Sequence, residues 1–143
     1  MLVDNSVGEP PVPPASDFIA RLRADRRATV DRFVPAMFAH PRPPEEIHAL
    51  TEAALRVPLP ASIALLSYPF PREHWRDIAR ALPVPLAYVT GAGLAAQGRS
   101  LAAHRPATEV DVFERAGHAL FVDEPARFNA LLAAVVGRVT PPA

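Results

Sequence analysis

Prolines recur through the first 85 residues and break them into separate helical segments, with residues 15–34 as the longest proline-free stretch. Met1-Leu2-Val3 reads as the last rung of a strand, and Pro10, Pro11, Pro13 and Pro14 follow, so residues 1–15 are expected to hold a strand end and a Pro-rich linker. Ser16 stands where an N-cap belongs, with Asp17 in the first turn and Phe18, Ile19 and Leu22 at helical spacing, so a helix starts there. Val30, Phe33, Val34, Met37 and Phe38 continue its apolar stripe; Pro35 breaks the run near Phe33 and the connector HPRPP, 40–44, ends it. A second helix begins at Pro44, Glu45 and Glu46, where acidic groups suit the helix dipole, and puts Ile47, Leu50, Ala54 and Leu55 on one face. Pro58 and Pro60 close it. A short apolar helix is expected over 61–67, a break at PFP over 69–71, and an amphipathic helix over 73–82 carrying Trp75, Ile78 and Leu82. Residues 16–82 therefore form a layer of short helices.

Beyond Pro85 the period changes. Leu86 to Thr90 is a short β-prone apolar run between Pro85 and Gly91, the pattern of a buried strand. Residues 95–104 return to helix, 109–113 (EVDVF) alternate polar with apolar as a half-solvated strand does, and 125–138 close with a helix whose apolar face is Phe128, Leu131, Leu132 and Val135. Residues 83–143 thus carry a βαβα unit, which puts the chain in the α/β class with a parallel sheet.

Composition narrows the function classes. Half of the 143 residues are apolar, enough for a real core, and the 15 arginines cancel the 15 acidic groups, so neither a nucleic acid nor a membrane surface is an expected partner. Cysteine is absent, which removes disulfides, thiolate metal sites and Cys nucleophiles. The first residues lack the basic and apolar regions of a signal peptide, and no run reaches the roughly 18 to 20 apolar residues a membrane span requires. A soluble, cytoplasmic protein is expected.

The segment EVDVFERAGHALFVDEPARFNALL, 109–132, resembles the last strand, histidine loop and last helix of α/β-hydrolase-fold enzymes. PVPLAYVTGAG resembles their penultimate strand, and the helices of 16–82 resemble a lid inserted after the sixth strand. The resemblance implies a partial α/β-hydrolase fold, a helical lid followed by a C-terminal βαβα unit, with His118 as the catalytic base of an esterase-like serine hydrolase. Gly117 would permit a tight turn and Phe121 and Pro125 would hold the loop.

In this family the nucleophile sits in a G-x-S-x-G elbow. None is present: Asp4-Asn5-Ser6-Val7-Gly8 keeps only Ser-x-Gly and runs into prolines, so Ser6 is not expected to be a nucleophile. The oxyanion-hole segment is missing too, a loss of on the order of a hundredfold in rate by itself. The usual place of the acid reads Gly91-Ala92-Gly93-Leu94 and contains no carboxylate. Some members of the fold place the acid after the sixth strand, where Asp4 stands; two readings of Asp4 stay open, triad acid or cap of a local turn. Asp123 and Glu124, close to His118 in sequence, are read first as the start of the final helix by charge and capping, with triad acid as the other reading.

Met37, Phe38, Tyr68, Phe70 and Trp75 either line an apolar substrate pocket beneath the lid or pack its helices together. Glu45-x-x-His48 matches a di-iron half-motif that must occur twice, so no metal and no cofactor is expected; His40, His74 and His104 read as surface residues. Two functions follow. One is an esterase-like hydrolase acting on a small ester only when another segment completes it. The other is a non-catalytic interaction protein whose open sheet edge self-associates or takes a partner chain supplying the missing strands.

Overall fold

The computed structural model describes residues 1–7, 15–67 and 72–139. Three parallel strands, β1 (Leu2–Val3), β2 (Leu86–Gly91) and β3 (Thr108–Phe113), form one sheet in the order β1-β2-β3. Leu2 pairs with Tyr88 and Val3 with Val89, while β2 pairs with β3 from Leu86 opposite Thr108 to Gly91 opposite Phe113. Every residue of β2 is buried, as befits a central parallel strand covered on both faces.

Alternate residues of β2 serve the two faces. On one, Leu86 and Tyr88 pack with Leu101 of α6 (Ala95–His104), Ala79 of α5 (Arg72–Ala81) and Val7. Gly98 lets α6 lie flat on that face, since a Cβ there would stand 2.8 Å from Val110 Cγ1 and 3.0 Å from Tyr88 Cδ1. On the other face, Val89 and Phe113 pack with Leu120 of α7 (Leu120–Asp123) and with Phe128 and Leu131 of α8 (Pro125–Val139).

The helical layer has a core of its own. Leu22 of α1 (Ser16–Ala24), Val30 of α2 (Arg26–Phe33) and Val34 pack with Ile47, Ala54 and Leu55 of α3 (Pro44–Arg56) and with Leu59 and Leu66 of α4 (Leu59–Leu66). Pro35 ends α2 and opens a 3-10 turn, Pro35–Met37. Among the described residues, no single helix is long and apolar enough to cross a membrane.

Several expectations are corrected. The N-cap of α1 is Ala15, with Ser16 already inside the helix and making no side-chain cap. The run from Ser16 to Phe33 is two helices: Asp25 adopts an extended conformation and accepts the Ala28 amide at 2.9 Å, capping α2. Leu50 faces solvent and Thr51 is the buried residue of α3. Pro60 lies within α4 rather than before it, because its first turn needs no amide from that position. The expected Pro-rich linker at 10–14, the PFP break, Tyr68 and Phe70 lie outside the described residues.

Candidate active site

Asp4 leaves β1 at the carboxyl end of the sheet, the edge where parallel α/β sheets place their sites. Its φ of 42° lies in the left-handed region, which Asp tolerates better than most side chains. The Asp4 amide donates to the Val89 carbonyl at 2.7 Å, adding one rung to the ladder. The carboxylate then reaches across the end of β2. Oδ1 accepts the Gly91 amide at 2.9 Å and the Thr90 hydroxyl at 2.8 Å, while Oδ2 lies 2.8 Å from Nδ1 of His118.

His118 stands in the loop between β3 and α7. Its side chain is 58% exposed, against 11% for Asp4, so one end of the pair is fixed in the protein and the other faces outward. The loop is tied down by its neighbours. Ala119 and Leu120 are buried, Ala119 donates to the Met37 carbonyl at 2.9 Å, and the Gly117 amide donates to Asp123 Oδ2 at 2.8 Å. Gly117 is required by close approach rather than by a turn: a Cβ there would lie 2.6 Å from Met37 O and 2.9 Å from Ala39 N. Phe121, expected to hold the loop, is exposed.

The electrostatics favour the charged carboxylate. Burial is the largest influence on Asp4 and pushes its pKa up. Hydrogen bonds from His118, the Gly91 amide and Thr90, with the charge of His118, outweigh it and hold the group below its ordinary value. The bond to Asp4 raises the pKa of His118 against the opposing effect of burial. With Asp4 ionised, Nδ1 carries the proton and donates it, which leaves the lone pair of neutral imidazole on Nε2, the atom a general base uses. Nε2 has no hydrogen-bond partner among the described residues.

Ser6 is directed elsewhere. Its hydroxyl donates to Gln97 Oε1 at 3.1 Å, and the same oxygen accepts the Val7 amide at 2.7 Å. The Tyr88 phenol, pushed up to about 12 by burial, stays neutral and donates to the Asn5 carbonyl at 2.9 Å. The chain after Asp4 is thereby pinned over the sheet.

Met37 and Phe38 are brought against the His118 loop through their backbones, as the bond to Ala119 and the crowding at Gly117 show. Trp75 is placed apart from them, in a cavity of about 330 Å³ lined by Leu2, Asn5, Ser6, Ile78 and Leu82 among others, whose lining includes neither Met37, Phe38 nor His118. Glu124 starts the final helix as expected, its carbonyl accepting the Phe128 amide at 3.0 Å, whereas Asp123 ends α7 and accepts two backbone amides, from Gly117 and, at 2.9 Å, from Ala39. Among the described residues, no group of three or more His, Asp or Glu could hold a metal ion.

The sequence does not single out Thr90 or Gly91 as site residues, and it offers Asp123 only as a helix start or a triad acid, not as an acceptor of backbone amides. Once Leu2–Val3 is paired in parallel with LAYVTG, the first two follow from register, since Val3 opposite Val89 puts Asp4 beside Thr90. No sequence signal exposes the Asp123 bond to Ala39, which joins positions 84 residues apart.

No family model and no curated protein matches the chain. Solved structures do. An esterase from Exiguobacterium antarcticum superposes with a TM-score of 0.68 at 20% identity, over 95% of this chain and 53% of that one. A thermophilic esterase gives 0.64 at 20% identity, over 90% and 52%, and Est816, described as an N-acyl homoserine lactone degrading enzyme, gives 0.61 at 24%, over 86% and 51%. The chain spans about half the length of each of these structures. At these identities the likeness is one of fold, and together with the three-stranded parallel sheet and its flanking helices it establishes that the chain has a partial α/β-hydrolase fold.

Proposed function

We propose that this chain is the base-and-acid portion of an esterase-like serine hydrolase, with His118 as general base and Asp4 as the acid that orients it. The observation that carries the reading is the 2.8 Å contact between Asp4 Oδ2 and His118 Nδ1 at the carboxyl edge of the sheet. A carboxylate on Nδ1 fixes the tautomer and stabilises the imidazolium formed when Nε2 takes a proton from a nucleophile. The nucleophile and the oxyanion donors are proposed to come from a further segment, because Ser6 donates to Gln97 and no G-x-S-x-G occurs in these 143 residues. The substrate is proposed to be a small ester, and Met37 and Phe38, beside the histidine loop, are the pocket residues this reading retains.

The test is hydrolysis of short p-nitrophenyl esters. The chain alone should give no more turnover than His118→Ala. Turnover well above that variant, lost on Ser6→Ala, would show that the nucleophile lies within this chain and overturn the reading.

A second reading is favoured by one surface. Trp75 and Ile78 are each 42% exposed and line the cavity beside Leu2 of β1, which is an edge strand of the sheet among the described residues. An apolar hollow next to an edge strand is a place for association, and a non-catalytic interaction protein would use it so. Light scattering tests this: a concentration-dependent rise in mass that Trp75→Glu suppresses supports it, and a monomer across the concentration range contradicts it.

A further inference from the structure

We infer that Asp123 is a positioning residue for His118, acting through the backbone amides of Gly117 and Ala39 and tying the helical layer to the histidine loop. The inference rests on the reading of His118 and Asp4 as a working pair, and it assigns a task to a carboxylate that the pair itself does not use.

Asp123 Oδ2 accepts the Gly117 amide at 2.8 Å and the Ala39 amide at 2.9 Å. These are charge-assisted bonds, which are stronger than bonds between neutral groups. No cation pairs with Asp123 among the described residues, and its Oδ1 is buried without a hydrogen-bond partner there. A buried, unpartnered carboxylate oxygen costs free energy, which the two amide bonds to the other oxygen offset. Those amides flank the functional loop from two directions. Gly117 immediately precedes His118, and Ala39 closes the Met37–Ala39 segment whose Met37 carbonyl accepts the Ala119 amide at 2.9 Å. Residues on both sides of His118 are thereby bound to that segment.

His118 needs this support because its own side chain contributes little packing. More than half of it is exposed, and its reach to Asp4 spans two loops 114 residues apart in sequence. The backbone on either side must set where the ring sits. With the Asp123 acceptor removed, Gly117 and Ala39 lose their partner and the imidazole is freed to swing off Asp4.

The titration of His118, followed by NMR of its ring in the full chain, tests this without any need for turnover. Asp4→Asn removes the partner carboxylate directly and should lower the His118 midpoint toward 6.5, its ordinary value. Asp123→Ala should reproduce at least half of that fall although it does not touch the ring. Asp123→Asn keeps an oxygen able to accept both amides and should leave the midpoint close to that of the unmodified protein. A fall with Asp4→Asn but none with Asp123→Ala overturns the positioning role and leaves the pair standing. No fall with Asp4→Asn overturns the pair and the inference together. Amide exchange in the unmodified protein covers the case in which Asp123→Ala does not fold: Gly117 and Ala39 should be protected alike, and exchange at free-peptide rates at either overturns the inference.

Discussion

Asp4 Oδ2 and His118 Nδ1 lie 2.8 Å apart although 114 residues separate them in the chain, because β1 and β3 flank β2 and end at the same edge of one parallel sheet. The acid is held by the end of β2 and the histidine by the loop beyond β3. The pair is therefore a product of the sheet's parallel register rather than of local sequence.

The pair should make stability depend on pH in a defined window. Asp4 has a lowered pKa when folded, so its contribution is complete above its ordinary value of 3.8 and is lost as pH falls through the lower folded value. His118 has a raised pKa, so its contribution is complete below 6.5 and is lost as pH rises through the higher folded value. The contribution of the pair is fullest between these two ordinary values. Urea unfolding of the native chain and Asp4→Asn across pH should show the largest difference there, narrowing on both sides.

Thr90→Val removes a hydroxyl that is completely buried and donates to Asp4 Oδ1 at 2.8 Å, while keeping the shape of the side chain. Loss of a buried hydrogen bond to a charged acceptor costs about 1.5–3 kcal/mol. Unfolding at neutral pH should show this loss, and the Asp4 carboxyl should titrate higher than in the native chain by carbon-detected NMR.

Among the described glycines, Gly117→Ala should be the most damaging change. Its Cβ would lie 2.6 Å from Met37 O and 2.9 Å from Phe38 C, both backbone atoms that cannot turn aside. Forcing such a contact costs about 1–3 kcal/mol or more, read as a fall in Tm of several degrees, and should loosen the Ala119 bond to Met37. Gly93→Ala, with nothing within 4 Å of the added carbon, should stay within about 0.5 kcal/mol of the native chain.

Much of the fold is legible where prolines, glycines and period mark the elements. Leu86 to Thr90 reads as a buried strand between Pro85 and Gly91 and is one, extended by Gly91 itself; the helix expected over 95–104 is Ala95–His104. The break between α1 and α2 escapes because the run Arg23-Ala24-Asp25-Arg26-Arg27 contains neither Gly nor Pro, and the signal there is the Asp25 cap. The four residues of α7 are too few to show a helical period. At the site, His118 is visible through its flanking pattern, while Asp4 stays ambiguous on sequence because its partners are Thr90, Gly91 and His118, all brought to it by strand pairing. Trp75 is legible as part of an amphipathic helix, but a helix pattern does not say which hollow its apolar face borders, and here that hollow is beside β1.

Co-expression of the chain with a separate segment that supplies a strand, a G-x-S-x-G turn and a helix tests the role of His118 most directly, through kcat/KM for a p-nitrophenyl ester. Restored turnover is expected to fall about a thousandfold or more with His118→Ala. Its rise with pH should have a midpoint above 6.5 in the native chain, because only neutral His118 accepts a proton and its pKa is raised, and Asp4→Asn should bring that midpoint down. Restored turnover that His118→Ala leaves unchanged would contradict the assignment of His118 as the base.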